Sequence, residues 1–182
     1  MAVLRILDYP DPRLRTVAKP LQDFTETRAQ QMIDDMLETL NNTEHCGGLA
    51  ATQLDIIDPY RIFVFYDFDE EKSTPPIATV AINPEIVATE GEVFEDEGCM
   101  SVYPDYIGAK VVRPAKTHMR AFDRKGNSFD IIRTGYLAKN FMHEIDHLNG
   151  KLYIDHLKPI KRNLVDGKIK KVKRVLDNQP EK

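Results

Sequence analysis

The sequence predicts an α+β fold: antiparallel β-sheets packed around a central helix, with an N-terminal helix before them and a C-terminal helix after. Three observations predict it. Apolar residues recur at helical spacing in residues 24–41, 135–148 and 160–176. Between the first two segments come short runs rich in β-branched and aromatic residues, punctuated by Gly, Pro, Asn and Asp. The last of these runs, 117–122 and 128–133, flank the turn signal Asp123-Arg124-Lys125-Gly126-Asn127 and therefore pair as a hairpin.

Taken in order, Leu14 to Leu21 is punctuated by prolines and reads as extended or loop structure. The first helix runs from Phe24 to Asn41, with Met32, Ile33, Met36, Leu37 and Leu40 on one stripe and Asp23/Glu26 as a capping box. Tyr60 to Tyr66 is a strand, followed by an acidic loop, Asp67 to Pro76. Two more strands, Ile77–Asn83 and Glu85–Thr89, are split by Pro84, which has no N–H to donate to a ladder. Thr134 caps the central helix, Gly135 to Leu148, and Asn149-Gly150 stops it. A third helix, Ile160 to Leu176, is bent or interrupted at Gly167.

Composition fits a folded, water-soluble chain: 42% hydrophobic and 30% charged residues argue against global disorder. At 182 residues it is most simply one domain, comprising a catalytic body over 1–157 and a basic helix or tail over 158–182. Met1 to Asp8 turns charged too soon for a signal peptide, and no apolar run approaches a membrane span. Two cysteines without a secretory signal fit a reducing, cytoplasmic setting. The net charge of −4 is uneven: residues 158–182 hold nine Lys/Arg against three Asp/Glu, so a basic tail follows an acidic body. That hints at an anionic partner, though a solvated helix face has the same composition.

The chemistry concentrates in His143-Glu144-Ile145-Asp146-His147. Residues four apart stack on one helix face, so the two imidazoles can hold one metal ion. Glu144, beside the first, can reach a water on that metal, which proposes metal-assisted hydrolysis. A catalytic site of this kind needs a third protein ligand. The position six residues after His147, where some such enzymes carry a third histidine, is Tyr153. His156 lies beyond the helix, and a downstream helix offers no suitable glutamate. The remaining candidates lie upstream, the two cysteines, whose thiolates are strong ligands.

Cys46 stands in Cys46-Gly47-Gly48-Leu49-Ala50-Ala51-Thr52-Gln53 and Cys99 in Glu97-Gly98-Cys99-Met100-Ser101. With the histidine helix, these segments resemble, in order and approximate separation, the three signature motifs of the peptide deformylases. The resemblance runs from Tyr9 to about Asp155. It implies a metallohydrolase that removes the N-formyl group from formyl-methionine at the start of nascent peptides and releases formate. It implies Cys99, His143 and His147 as metal ligands, Glu144 as general base, and Gln53 and the Met100 N–H as oxyanion donors. It implies substrate contacts at Gly48, Leu49, Glu97, Gly98 and Asn140, the Gly-rich segment pairing with the peptide as an added strand. The metal implied in the cell is Fe(II), with Zn(II), Ni(II) or Co(II) able to occupy the site. The other readings are a deformylase-like protein with altered preference or a binding role, and a different small HExxH metallohydrolase.

Three positions depart from the family pattern. Cys46 stands for a glycine, Met142 for the glutamine before His143, and no basic residue follows Ser101 closely. Lys139 and Asn140 also make the turn before His143 polar, which touches the expected pocket for the first side chain of the substrate. For the basic tail, the resemblance implies docking on the ribosome of the kind some bacterial deformylases make through a C-terminal helix, with a solvated face as the other reading. Lys158, Lys161, Arg162, Lys168, Lys170, Lys171, Lys173 and Arg174 would contact RNA phosphates, and Ile160, Leu164, Ile169, Val172 and Leu176 would pack on the body. No DNA or membrane partner is expected.

Overall fold

The structure, a computed structural model, describes residues 1–68 and 75–178. Most of the expected acidic loop, 69–74, and the end of the tail, 179–182, lie outside the described residues.

The helices are α1 (Thr27–Asn41), α2 (Gly135–Leu148) and α3 (Pro159–Asp177). The strands are β1 (Gly48–Ala50), β2 (Ile62–Asp67), β3 (Ile77–Glu90), β4 (Val93–Glu97), β5 (Ala109–Arg113), β6 (Lys116–Phe122) and β7 (Ser128–Thr134). Five strands form one antiparallel sheet in the order β1-β2-β3-β6-β7, and β4-β5 form a separate antiparallel pair. The expected α+β architecture is what the chain adopts.

β2 shows why the sheet has helices on both faces. Its Ile62-Phe63-Val64-Phe65 run is buried at every position, so neither face meets water. Ile62 and Val64 pack with Met32, Ile33, Met36 and Leu40 of α1. Phe63 and Phe65 point to the opposite face and pack with Leu137, Phe141 and Ile145 of α2. The Phe141 ring meets Phe65 edge-on at 5.1 Å. A third cluster joins β5, the segment around Cys99 and the N-terminal Leu7 and Leu14 to α3. α2 is thus held by the sheet on its apolar side, while its histidine side faces β4 and the Cys99 turn.

Several local expectations are corrected. The Asp23/Glu26 capping box does not form. Asp23 accepts from the Thr25 N–H at 2.8 Å and its hydroxyl at 2.6 Å, and Glu26 is taken by the Tyr60 hydroxyl at 2.7 Å, so α1 starts at Thr27. Thr134 precedes α2 without a capping bond from its side chain. β3 is one strand through Pro84. A register shift between Ile82 and Glu85 absorbs the proline, with Asn83 at φ 49°. The Asn83 amide replaces the lost ladder, accepting from the Leu21 N–H at 2.9 Å and donating to its carbonyl at 2.8 Å.

α3 runs unbroken through Gly167, because one glycine only weakens a helix that is otherwise held. Its packing face is also turned from the expectation. Val165 and Ile169 are buried, flanked by Val172 and Leu176, whereas Ile160 and Leu164 are 78% and 65% exposed. No helix among the described residues is long and apolar enough to cross a membrane.

Candidate metal centre

α2 and the turn after β4 bring three expected ligands together. Cys99 Sγ lies 3.2 Å from His147 Nε2, which lies 3.2 Å from His143 Nε2. The donor atoms of all three sit within 4.8 Å of one another, and all three residues are buried. Tetrahedral coordination at ordinary zinc-type bond lengths would set neighbouring nitrogens about 3.3 Å apart, and sulfur and nitrogen about 3.6 Å. The cluster fits a first-row divalent ion. Cys46, the other candidate, is buried with its Sγ 3.2 Å from the Gly48 carbonyl, and neither cysteine is in a disulfide.

Electrostatics favour the same reading. His143 donates through Nδ1 to Glu97 Oε1 at 2.6 Å, which leaves Nε2 free as a ligand. Burial works against a charge on His143, but the surrounding Cys99, Glu97 and Glu144 outweigh it and raise its proton affinity well above normal. His147 goes the other way: burial, then His143 and Arg113, hold it well below and therefore neutral. A site this rich in donors draws positive charge, and a metal cation would supply it.

Glu97 has both oxygens engaged. Arg113 Nη2 donates to Oε1 at 2.8 Å and Nε to Oε2 at 2.9 Å. Burial would raise the Glu97 carboxyl, yet Arg113 and His143 hold it down to about 2. Arg113 Nη1 also donates to Asp146 Oδ2 at 2.7 Å, and His156 Nε2 reaches the same oxygen at 2.7 Å. Glu97 also lines the cleft, and its carboxylate is turned to His143 and Arg113. Asp146 orients neighbours, as its place in the motif allowed, and His156 is no ligand.

Arg113 was not singled out from the sequence, which pointed only to a missing basic residue nearer Ser101. The signal was an arginine before Pro114 at the end of a Val-Val run, visible only once β4 and β5 are known to pair.

Cys99 and His143 open into a cleft of roughly 260 Å³. Gly47, Gly48, Gln53, Gly98, Met100, Tyr136, Asn140 and Glu144 all line it. Burial pushes the Glu144 carboxyl up to about 7, with His143 lowering and Glu97 raising it. Glu144 Oε2 is buried and has no hydrogen-bond partner. The Gln53 amide is fixed by its Oε1, which accepts from the Ala50 N–H at 2.9 Å, while Nε2 lies 3.3 Å from Ser101 Oγ and 3.6 Å from Cys99 Sγ. Leu49 does not line the cleft. Its side chain is wholly buried against α1 and β2, and its backbone is paired with Val64 of β2, so the expected substrate contact at Leu49 is corrected. Tyr136, also not anticipated, lays its hydroxyl over Gly47, where any Cβ would collide with it.

An α+β fold that buries a Cys-His-His donor set beside a glutamate with one unpartnered oxygen, in a cleft edged by a short strand, defines a metallohydrolase. Comparison with known proteins narrows this. The sequence profile of the family described as polypeptide deformylase matches residues 3–163. The peptide deformylase of Cellvibrio japonicus is 44% identical over 172 residues, covering 94% of this chain and 96% of that protein. Peptide deformylase 1 of Coxiella burnetii is 42% identical over the same length, covering 94% and 98%. The crystal structure of a peptide deformylase from Legionella pneumophila superposes with a TM-score of 0.83 at 39% identity, covering 98% of this chain and 100% of that one. The chain belongs to the polypeptide deformylase family, metal-dependent hydrolases that remove the N-formyl group from nascent peptides.

Proposed function

We propose that Cys99, His143 and His147 hold the catalytic metal, Fe(II) in the cell, and that Glu144 is the general base for deformylation of formyl-methionyl peptides. The observation that carries this is the unpartnered, buried Glu144 Oε2 beside the three clustered donor atoms. When bound, the metal supplies Lewis acidity at the formyl group and lowers the pKa of water. The chain's own residues do the rest. Glu144, with its carboxyl near 7, takes a proton from the attacking water and returns it to the leaving amine. Gln53, whose Oε1 accepts from the Ala50 N–H and whose Nε2 lies beside Ser101, donates through Nε2 and the Met100 N–H donates with it to the oxygen on which charge develops, each worth about 2.7–4 kcal/mol.

The peptide lies along β1 as an added strand. β1 pairs on one side with β2 and is the end strand of its sheet, so its other edge is open to such pairing. Gly48, which alternates with the β2-paired positions 47 and 49, turns its backbone to that edge, Gly98 lets the opposite wall approach, and Asn140 borders the first side chain.

The reading extends to a cytoplasmic enzyme whose body, 1–157, and basic segment, 158–182, act as one domain. The outer face of α3 would dock on ribosomal RNA through Lys168, Lys170 and Lys171, all exposed. Arg162 contributes less, since it is paired with Asp155 at 2.7 Å and Asp166 at 3.0 Å.

The test is formate release from a formyl-Met peptide by anaerobically purified, metal-quantified protein. Glu144→Ala should retain metal and lose about 10²–10⁴ in kcat. Cys99→Ser should lower metal content. Full metal occupancy with unchanged activity in Glu144→Ala would sink the assignment.

A further inference from the structure

Asn140 sits one turn before His143, is 8% exposed, and presents a buried Oδ1 with no hydrogen-bond partner to the cleft. It lies against the edge of β1: a Cβ on Gly48 would fall 2.9 Å from that oxygen. One turn earlier, Tyr136 is 42% exposed overall but tucks its hydroxyl over Gly47. The glycine is what leaves room for it, so residues 47 and 136 together put a hydroxyl where an aliphatic side chain would otherwise form the wall. Lys139, between them, is already engaged: its Nζ donates to Glu95 Oε2 at 3.3 Å and to the Asp96 carbonyl at 3.0 Å. The wall is therefore polar and carries no free charge of its own.

We propose that Asn140 and Tyr136 set the specificity of the site toward a first side chain that bears an uncharged hydrogen-bonding group at about methionine's length, a carboxamide or a sulfoxide, over a purely aliphatic one. This rests on the deformylase reading of the same cleft. Asn140 Oδ1 is buried without a partner, and the Asn140 side chain also bonds the Tyr136 hydroxyl, whose own proton remains to be donated. An aliphatic side chain entering here leaves that oxygen unpaired and covers the phenol, and buried polar groups left unpaired are what give a hydrogen-bonding site its power to reject. A carboxamide can donate to Oδ1 and accept from the phenol. A sulfoxide accepts from the phenol and leaves Oδ1 to a water. Cys46, Met100 and Pro104 remain as apolar lining for the alkyl stem of either.

The experiment uses the metal-loaded full chain and formylated tripeptides that differ only in the first residue: methionine, norleucine, glutamine or methionine sulfoxide. Pairs compete in one tube, so the ratio of kcat/KM values is read directly. The wild type should process the glutamine and sulfoxide peptides at least as well as norleucine. Asn140→Leu should swing the norleucine-to-glutamine ratio by about tenfold or more toward norleucine, and Tyr136→Phe should swing norleucine against both polar peptides. Tyr136→Phe keeps the ring and so guards against a misfolded Asn140→Leu. The comparison of glutamine with sulfoxide tells which group the wall prefers. A wild-type preference for norleucine by about tenfold or more, unmoved in both variants, overturns the proposal. If no formyl peptide is hydrolysed, the deformylase reading is what fails. Calorimetric binding of the unformylated peptides then decides the wall's preference: tighter binding of glutamine than norleucine, lost in Asn140→Leu, supports it, and equal binding overturns it.

Discussion

A methyl group added at Gly48 would sit 2.9 Å from both Asn140 Oδ1 and Glu144 Oε1. At that distance something must move, and the Glu144 carboxylate has little room, being 1% exposed. Gly48→Ala should therefore misplace the base and cost about tenfold to a hundredfold in kcat/KM with metal content unchanged, checked by formate release beside metal analysis. Retained activity would mean that β1 yields instead of α2. The same scale explains why the three clustered donors were legible in the sequence. The pairing of His143 with His147 follows from helical spacing, and Cys99 follows from the resemblance carried by the three segments together. The hold of Glu97 on His143 was not legible, because it depends on Arg113, which is sixteen residues away along the chain.

Between elements, the buried Arg113 guanidinium ties β5 to Glu97 at the end of β4 and to Asp146 on α2. Removing it leaves two carboxylates in a dry site. Arg113→Leu should destabilise the fold by about 3–5 kcal/mol in denaturant unfolding. It should also weaken metal binding about 10- to 100-fold, because His143 loses its fixed partner. Stability near wild type would show that the pair is dispensable.

A second tie is Asp155, which receives Arg15 from the N-terminal segment and Arg162 from α3. Burial would raise its carboxyl, but Arg15, the Leu152 N–H and Arg162 bring it down to about 2, below its ordinary 3.8. A depressed carboxylate contributes stability that is present above its ordinary pKa and is lost as pH falls toward the folded value. Unfolding free energy should therefore decline between about pH 4 and pH 2, and Asp155→Asn should flatten that slope. An unchanged slope would refute the assignment.

For the whole molecule, the orientation of α3 decides what the basic segment presents outward. With Ile169 buried and Leu164 65% exposed, Ile169→Ala should cost about 2–5 kcal/mol by thermal unfolding, whereas Leu164→Ala should stay within about 0.5 kcal/mol. The reverse ranking would turn the helix over. Ribosome docking belongs to this scale too. Charge reversal at Lys168, Lys170 and Lys171 should abolish cosedimentation with ribosomes while leaving formate release intact, and unaltered cosedimentation would remove these lysines from the interface.

The sequence by itself determined the helices with long apolar stripes, the β6-β7 hairpin, the motif on α2 and the family, because periodicity and short motifs are local and survive without contacts. It misjudged what depends on a partner. The start of α1 moved because Tyr60 claims Glu26. β3 ran through Pro84 because Asn83 and Leu21 replace the missing bonds. α3 stayed whole because its Val165–Ile169 face is packed. β4 and β5 were not foreseen at all, being short and charged, with pairing as their main support. Only the tertiary structure decided that Arg113 holds Glu97 behind His143, that Leu49 faces the core, and that Tyr136 rests on Gly47. Each is a meeting of residues far apart in the chain, set by close packing and the need to pair every buried charge, and no local pattern records it.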